Sequence, residues 1–149
     1  MELNTEYRGF ADGFAAAVVA RDFDRAHGCL ASWLGRTVSA DELRRIVEDE
    51  VHVTAEAAGA PPDVFPATYE IGWNASTLAS LREPRSYALV RAIAEEVTDE
   101  NFRQWMKVQF QPGLDEDGLD IDAYFDLWMV VVDEDGRLAV GYFETTDPD

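Results

Sequence analysis

The chain is predicted to be an α+β domain, with N-terminal helices packed on a curved antiparallel sheet. Three observations predict this class. Helical patterns fill the N-terminal part, an alternating strand pattern covers 105–111, and two apolar runs within 124–145 meet at Asp135-Gly136. That dipeptide supplies the positive φ angles of a tight hairpin turn. At 149 residues, the chain fits a single domain, 1–149, with one core.

Three N-terminal helices are predicted, because apolar side chains recur there every three or four positions. The first covers about 5–21. Asp22 or Asp24 can cap the second, which Gly35 ends. The third begins at Ser39, which opens a capping box. The three apolar stripes are Tyr7, Phe10, Phe14, Ala17 and Val18, then Phe23, Ala26, Leu30, Trp33 and Leu34, and then Leu43, Ile46, Val47 and Val51.

The segments between the helices and the hairpin are less regular. Pro, Gly and Asn punctuate 61–84, which predicts irregular chain with a short turn of helix near 76–81. The run 87–97 suits a helix or an extended segment, and extended is preferred. The stretch 105–111 alternates as a half-buried strand does. An acidic loop, 115–122, then precedes the hairpin.

The hairpin is expected to carry two apolar faces. A two-residue loop sets Asp133 opposite Leu138, and a four-residue loop differs by an even slip, so both sort the side chains alike. Face A is expected to meet the helices, and face B needs another cover. Face A carries Phe125, Leu127, Met129, Val131, Leu138, Val140, Tyr142 and Glu144, and face B carries Tyr124, Asp126, Trp128, Val130, Val132, Ala139, Gly141 and Phe143.

The element order resembles that of the nuclear-transport-factor-2-like superfamily, also called SnoaL-like or cystatin-like cones. The resemblance rests on FADGFAAAVVARDFDRAHGCLASWL, the capped third helix, and the strands WMKVQFQ, YFDLWMVVV and LAVGYFE. It covers nearly the whole chain and contains no diagnostic motif. It implies a cone whose concave sheet face and helices enclose a pocket, often with dimerisation through the outer sheet face. Members include isomerases, cyclases, dehydratases, ligand-binding domains, protein-interaction modules and toxin-immunity proteins.

Charge and cysteine content exclude several classes of function. The net charge is −18, and residues 95–149 alone hold 16 acids and 3 bases. Binding to nucleic acid or an anionic membrane needs a basic patch, so a basic partner or plain solubility fits the acidic surface better. One cysteine, Cys29, allows neither an intrachain disulfide nor a thiolate metal cluster. With no signal peptide pattern or apolar run of about 20 residues, a cytoplasmic location is expected.

Few residues qualify as catalytic or ligand-binding candidates. His27 lies on the apolar side of the second helix, where it is a possible general base or a histidine bonded to the backbone. The resemblance pairs such a histidine with a carboxylate, and Asp126 is the nearest match, although it falls on the opposite sheet face. Tyr142 and Glu144 could orient a small ligand at the end of face A. The pocket candidates are therefore His27, Trp105, Leu127, Met129, Tyr142 and Glu144.

Face B predicts a homodimer, because its apolar side chains would be wet in a monomer. The candidate interface residues are Trp128, Val130, Val132 and Phe143. The alternative is that 61–84 covers this patch.

No metal site is predicted: counted from Asp115, the acidic loop lacks the glycine and the glutamate of an EF-hand. No cofactor motif occurs either.

Three hypotheses of function follow. The leading one is a non-catalytic domain that binds a small apolar ligand or a protein. The second is a SnoaL-type enzyme that uses His27. The third is an acidic, immunity-type protein that binds a basic partner through 115–122 and neighbouring acids.

Overall fold

The computed structural model describes residues 4–59, 65–82, 93–112 and 124–145. Within these ranges, five helices accompany one four-stranded antiparallel sheet in the order β1-β2-β3-β4, which confirms the α+β class. The sheet is not closed. The elements are α1 Thr5–Val19, α2 Phe23–Gly28, α3 Ser32–Thr37, α4 Ala40–Ala58, β1 Thr68–Asn74, α5 Leu78–Leu81, β2 Phe102–Gln111, β3 Phe125–Glu134 and β4 Arg137–Thr145.

The first and third predicted helices are confirmed as α1 and α4. The side chain of Asn4 accepts from the backbone N–H groups that open α1. The hydroxyl of Ser39 accepts from the backbone N–H of Glu42 at 3.1 Å, which is the predicted cap of α4. Gly59 ends α4 with a φ of 70°, a conformation that glycine adopts without a steric penalty.

The prediction of one continuous second helix is wrong, because the chain breaks into α2 and α3. Between them, Leu30 forms a parallel bridge with Val140 of β4. Val140 donates its N–H to the carbonyl of Cys29 at 2.8 Å, and Ala31 donates to the carbonyl of Val140 at 2.8 Å. Gly35 lies inside α3 and does not end it. An edge strand has taken the hydrogen bonds that would have continued the helix.

The segment 61–84 is more regular than predicted where the structure describes it. The short helix is confirmed as α5, but β1 was missed. β1 pairs with β2 along its length, with Ile71 opposite Val108. The acidic loop 115–122 lies outside the described residues, as do positions 87–92 of the ambiguous run. The rest of that run, 93–97, forms neither helix nor strand.

The hairpin turn has two residues, which is one of the two loop lengths that the sequence allowed. Asp133 lies opposite Leu138, and the two turn residues have positive φ angles of 55° at Asp135 and 88° at Gly136. The carboxylate of Asp133 accepts from the N–H of Gly136 at 2.9 Å, which adds a side-chain bond across the turn. The hairpin therefore forms for the reason the sequence indicates.

The sorting of side chains beyond Val140 is wrong, because β4 contains a β-bulge. Val131 pairs with Val140, but Val130 pairs with Tyr142, so Gly141 is an extra residue on β4. An extra residue reverses the alternation of everything after it. Tyr142 and Glu144 therefore lie on face B instead of face A, and Phe143 lies on face A instead of face B.

Packing at Gly141 explains why a glycine occupies the bulge. A Cβ atom added there would lie 2.8 Å from Cγ1 of Val132 and 3.2 Å from side-chain atoms of Trp33 and Val97. The absence of a side chain lets the chain pack this closely.

Face A meets the helices, as predicted. Its fully buried Leu127 and Met129 pack in one cluster with apolar side chains of α1, α2 and α4, among them Phe14 and Leu43. Phe143 joins this cluster from the far side of the bulge.

None of the described helices is both long and apolar enough to span a membrane.

Face B is covered by the chain itself over its apolar part. Val130 and Val132 are fully buried there, so the expectation that they form a wet patch is wrong. The segment 61–84 contributes part of the cover, through α5, and the region around α3 and 93–97 contributes the rest. The second apolar cluster comprises Ala31, Leu78, Leu81, Val97, Trp105, Val130, Val132, Ala139 and Tyr142, with Trp33, Ile93, Phe102 and Trp128 against it.

This cover changes the argument for a homodimer. Of the four predicted interface residues, two are buried within the chain and Phe143 lies on the other face. Trp128 is half-buried and stacks on Trp105 with ring centroids 5.2 Å apart. The homodimer therefore stays a prediction. The exposed apolar patch on face B, from which it was inferred, is covered by the chain itself.

Candidate functional site

The six predicted pocket residues do not meet in one place. Leu127 and Met129 have no exposed surface, so they fill the helix-side core and line no open space there. Trp105 is 5% exposed and lies in the second apolar cluster, on the other side of the sheet. His27 lies on α2. Tyr142 and Glu144 remain together, but the bulge has moved them to face B.

The histidine–carboxylate pair of the enzyme hypothesis is not assembled. Nε2 of half-buried His27 lies 3.1 Å from the carbonyl oxygen of Gly35, to which a ring N–H can donate. Asp126 lies on face B and accepts from the side-chain amide of Gln109 at 3.3 Å. His27 is thus bonded to α3 and Asp126 to β2. His27 has the backbone partner of a structural histidine.

A groove lies beside the β4 bulge, and we name it the bulge groove. Its volume is about 250 Å³. One wall comes from α3, a second from the 94–96 segment, and the floor from β4 at the bulge. The lining residues are Trp33, Leu34, Thr37, Ala94, Glu96, Gly141 and Tyr142.

The indole of Trp33 is fixed against the floor of this groove. Its Nε1–H donates to the carbonyl oxygen of Gly141 at 2.9 Å. Gly141 leaves room for this approach, since a Cβ there would meet the Trp33 ring at 3.2 Å. The bulge therefore positions an aromatic ring that comes from a distant part of the chain.

An anchor at the start of α3 holds this helix on the hairpin, and we name it the Glu134 anchor. Both carboxylate oxygens of Glu134 accept from the backbone N–H of Ser32, at 3.0 and 3.1 Å, and one also accepts from the Ser32 hydroxyl. Arg137 pairs with Glu134 at 3.1 Å and donates to the carbonyls of Gly28 and Leu30. The hydrogen bonds from Ser32 and Arg137 lower the pKa of the Glu134 carboxyl.

Tyr142 supplies the second aromatic side chain of the groove. It is 9% exposed, and its O–H donates to Oε2 of Glu144 at 2.8 Å. A carboxylate acceptor polarises the hydroxyl and increases the negative charge on its oxygen. The bulge thus brings Tyr142, its carboxylate partner and the Trp33 ring to one side of the sheet.

The 94–96 wall is held by hydrogen bonds from neighbouring elements. Arg82, at the end of α5, donates to the carbonyls of Ala94 at 2.9 Å and Val97 at 2.6 Å. The side-chain amide of Asn101 donates to the carbonyl of Glu96 at 2.7 Å. These contacts engage backbone carbonyls of the wall, and exposed Glu96 is one of the residues that line the groove.

A larger groove of about 440 Å³ lies where α1 turns into α2, beside α4. Several of its charged residues have structural contacts. Arg44 pairs with Asp41 at 2.8 Å and with Glu48 at 3.5 Å, and the Arg21 guanidinium lies 4.2 Å from the centre of the Phe65 ring. Other lining residues are Asp22, Phe23, Asp24 and Ala40. Since both arginines that line this groove are engaged by other side chains, it is the weaker candidate for a site.

Two further kinds of site, a nucleophilic cysteine and a metal centre, find no support in the part of the chain that the structure describes. Burial raises the pKa of the Cys29 thiol despite nearby Arg25 and Arg137, which opposes the thiolate that nucleophilic chemistry needs. Among the same residues, no three His, Cys, Asp or Glu side chains come close enough to share a metal ion.

Comparison of the chain with models of known protein families, with curated proteins and with solved structures gave no match. The resemblance to the nuclear-transport-factor-2-like superfamily therefore stays a prediction. The immunity-type hypothesis also stays one, since its main segment, 115–122, lies outside the described residues.

The sequence did not indicate Trp33, Thr37 or Glu96 as neighbours of Tyr142. These residues come from a helix and from a segment without regular structure, so no local spacing connects them to β4. One signal was available. A glycine inside an apolar strand pattern marks a bulge or a close backbone approach, and Gly141 is both.

Proposed function

We propose that this chain is a non-catalytic domain that binds a small ligand in the bulge groove. The observation that carries the proposal is the bulge itself. It sets Tyr142 beside Trp33 over a floor, Gly141, that has no side chain. Bulges often re-aim side chains next to functional sites, and two aromatic residues among those that line the groove can offer ring contacts to a flat ligand.

The size and position of the groove favour a small ligand. Pockets for drug-sized ligands typically have volumes of ~300–1,000 Å³, and the bulge groove, at about 250 Å³, falls just below that range. A ligand with a single ring matches it. A ligand buried between the helices and face A would have to displace Leu127 and Met129, which are fully buried.

The chemistry of the described residues favours binding over catalysis. General acid–base catalysis needs a titratable group within hydrogen-bond reach of the reacting atoms. His27 is bonded to a backbone carbonyl and lines neither groove. In the bulge groove, the polar groups are a tyrosine hydroxyl, a threonine hydroxyl and a carboxylate, a set suited to orienting a ligand.

Filling the groove tests the proposal. Thr37 is exposed and lines the groove, so Thr37→Trp should occupy it without disturbing the core. Arg36→Trp is the matched control, because Arg36 is the preceding, exposed residue of α3 and does not line the groove.

The readout is NMR titration with three probes of one shape, benzylammonium, benzyl alcohol and benzoate. We expect at least one probe to shift the Trp33 indole N–H and the Gly141 amide in the wild type and in Arg36→Trp, and none to shift the matching signals in Thr37→Trp. Wild-type signals that do not move with any probe, or a Thr37→Trp variant that binds like the wild type, would contradict the proposal.

A further inference from the structure

The lining of the bulge groove also indicates a charge preference. Among the lining residues that the structure describes, Glu96 is the one that carries a charge. A second carboxylate, that of Glu144, accepts a hydrogen bond from the hydroxyl of Tyr142, which also lines the groove. An uncharged ligand could gain at most a hydrogen bond from the Glu96 carboxylate. A ligand with a positive charge would gain an ion pair.

The two aromatic rings favour the same sign of charge. The faces of Trp and Tyr rings carry negative electrostatic potential, so they attract a cation held over them. Trp gives the strongest interaction of this kind. In the bulge groove, the indole of Trp33 is fixed by its N–H bond to Gly141, so its orientation is set before any ligand arrives.

Arg82, a cationic residue that is bonded to the 94–96 wall, is not positioned to neutralise Glu96 through a contact that the structure shows. Arg82 donates to the carbonyls of Ala94 and Val97 and is not among the lining residues. Its guanidinium is thus engaged by backbone oxygens. The chain as a whole carries a net charge of −18, which attracts cations and repels anions over a longer range.

We infer that the ligand of the bulge groove is a small organic ammonium ion, with its charged group near Glu96 and its apolar part against Trp33 and Tyr142. This inference rests on the proposed function, since it names the ligand class for the same groove. It adds a claim that the proposed function does not make, namely that charge, and not shape alone, selects the ligand.

The same three probes test it, because benzylammonium, benzyl alcohol and benzoate differ mainly in charge. We expect benzylammonium to bind about three- to tenfold more tightly than benzyl alcohol, from one partly exposed ion pair and one cation–π contact. Benzoate should bind more weakly than the alcohol. Raising the salt concentration should reduce the advantage of the ammonium ion.

Glu96→Gln is the decisive variant, since it keeps the shape of the side chain and removes its charge. It should lower the affinity for benzylammonium about two- to fivefold and leave that for benzyl alcohol unchanged. Glu95→Gln is the matched control, because Glu95 is exposed, adjacent and absent from the lining. It should bind benzylammonium like the wild type.

The outcomes separate the two proposals. Equal affinity for benzylammonium and benzyl alcohol, or equal effects of Glu96→Gln and Glu95→Gln, would overturn the ammonium preference and leave the groove as a binding site. Preference for benzoate would overturn it as well. Binding of no probe would overturn both proposals together.

Discussion

The two faces of the β3–β4 hairpin are covered in different ways. Face A packs against α1, α2 and α4, and its central side chains, Leu127 and Met129, have no exposed surface. Face B is covered by the short helices α3 and α5 and by the 93–97 segment. Both faces hide apolar side chains, and the cover of face B leaves the bulge groove where it meets β4.

The difference between the two faces follows from one extra glycine, Gly141, in the edge strand β4. Without the bulge, Tyr142 and Glu144 would point at the helices and Phe143 would point away from them. With it, Phe143 completes the helix-side core, and two polar side chains are removed from that core. The same residue leaves space for the Trp33 ring on the other side. One inserted residue thus improves the core and creates the groove.

The largest expected effect comes from giving the bulge a side chain. Gly141→Ala places a Cβ 2.8 Å from Cγ1 of the fully buried Val132. Such overpacking should lower the free energy of unfolding by about 1–3 kcal/mol. Gly13→Ala is the matched control: it lies in the interior of α1, where an added Cβ meets nothing within 4 Å. It should raise the free energy of unfolding by about 0.5–1 kcal/mol.

Urea denaturation of both variants measures this contrast between the two glycines. An unchanged stability of Gly141→Ala would mean that β4 can lose the bulge or shift it at no cost. The difference between the two faces would then not depend on close packing at Gly141.

A smaller effect is expected from the Glu134 anchor, which holds the face B cover in place. Glu134→Gln removes the charge that Ser32 and Arg137 stabilise and should lower the free energy of unfolding by about 1 kcal/mol at neutral pH. The folded-state pKa of Glu134 is lowered, so its contribution is present above the unfolded carboxyl pKa of about 4.3 and is lost as the pH falls through the folded value.

The pH dependence separates this effect from general acid unfolding. The stability difference between wild type and Glu134→Gln should be constant near neutrality and shrink below about pH 4.3. Asp135→Asn, in the exposed turn next to Glu134, is the control and should follow the wild type more closely. A difference that is the same at all pH values would contradict the assigned role of the Glu134 charge.

Much of the fold could be predicted because its signals are local. The cap at Ser39, the Asp135-Gly136 turn and the alternation of 105–111 each depend on neighbouring residues, and all three are confirmed. The α2–α3 break could not be predicted in this way. It depends on Val140, more than a hundred positions away, which takes the backbone bonds of Cys29 and Ala31.

The candidate site was only partly predictable for the same reason. Tyr142 was predicted to end face A, but it lies on face B and lines the bulge groove, because strict alternation was assumed through Gly141. Face B was judged to need a partner chain, since its cover comes from short or irregular segments. Such segments, like α3 and 93–97, carry no periodic pattern that shows what they cover.

The central claim is that Gly141 is an extra residue that turns Tyr142 onto face B. The most direct measurement is a set of NMR distance contacts across β3 and β4. The structure predicts cross-strand contacts between Val130 and Tyr142 and between Met129 and Phe143. Contacts that instead pair Met129 with Tyr142 and Val130 with Gly141 would show an unbulged hairpin and would contradict both the groove and the function proposed for it.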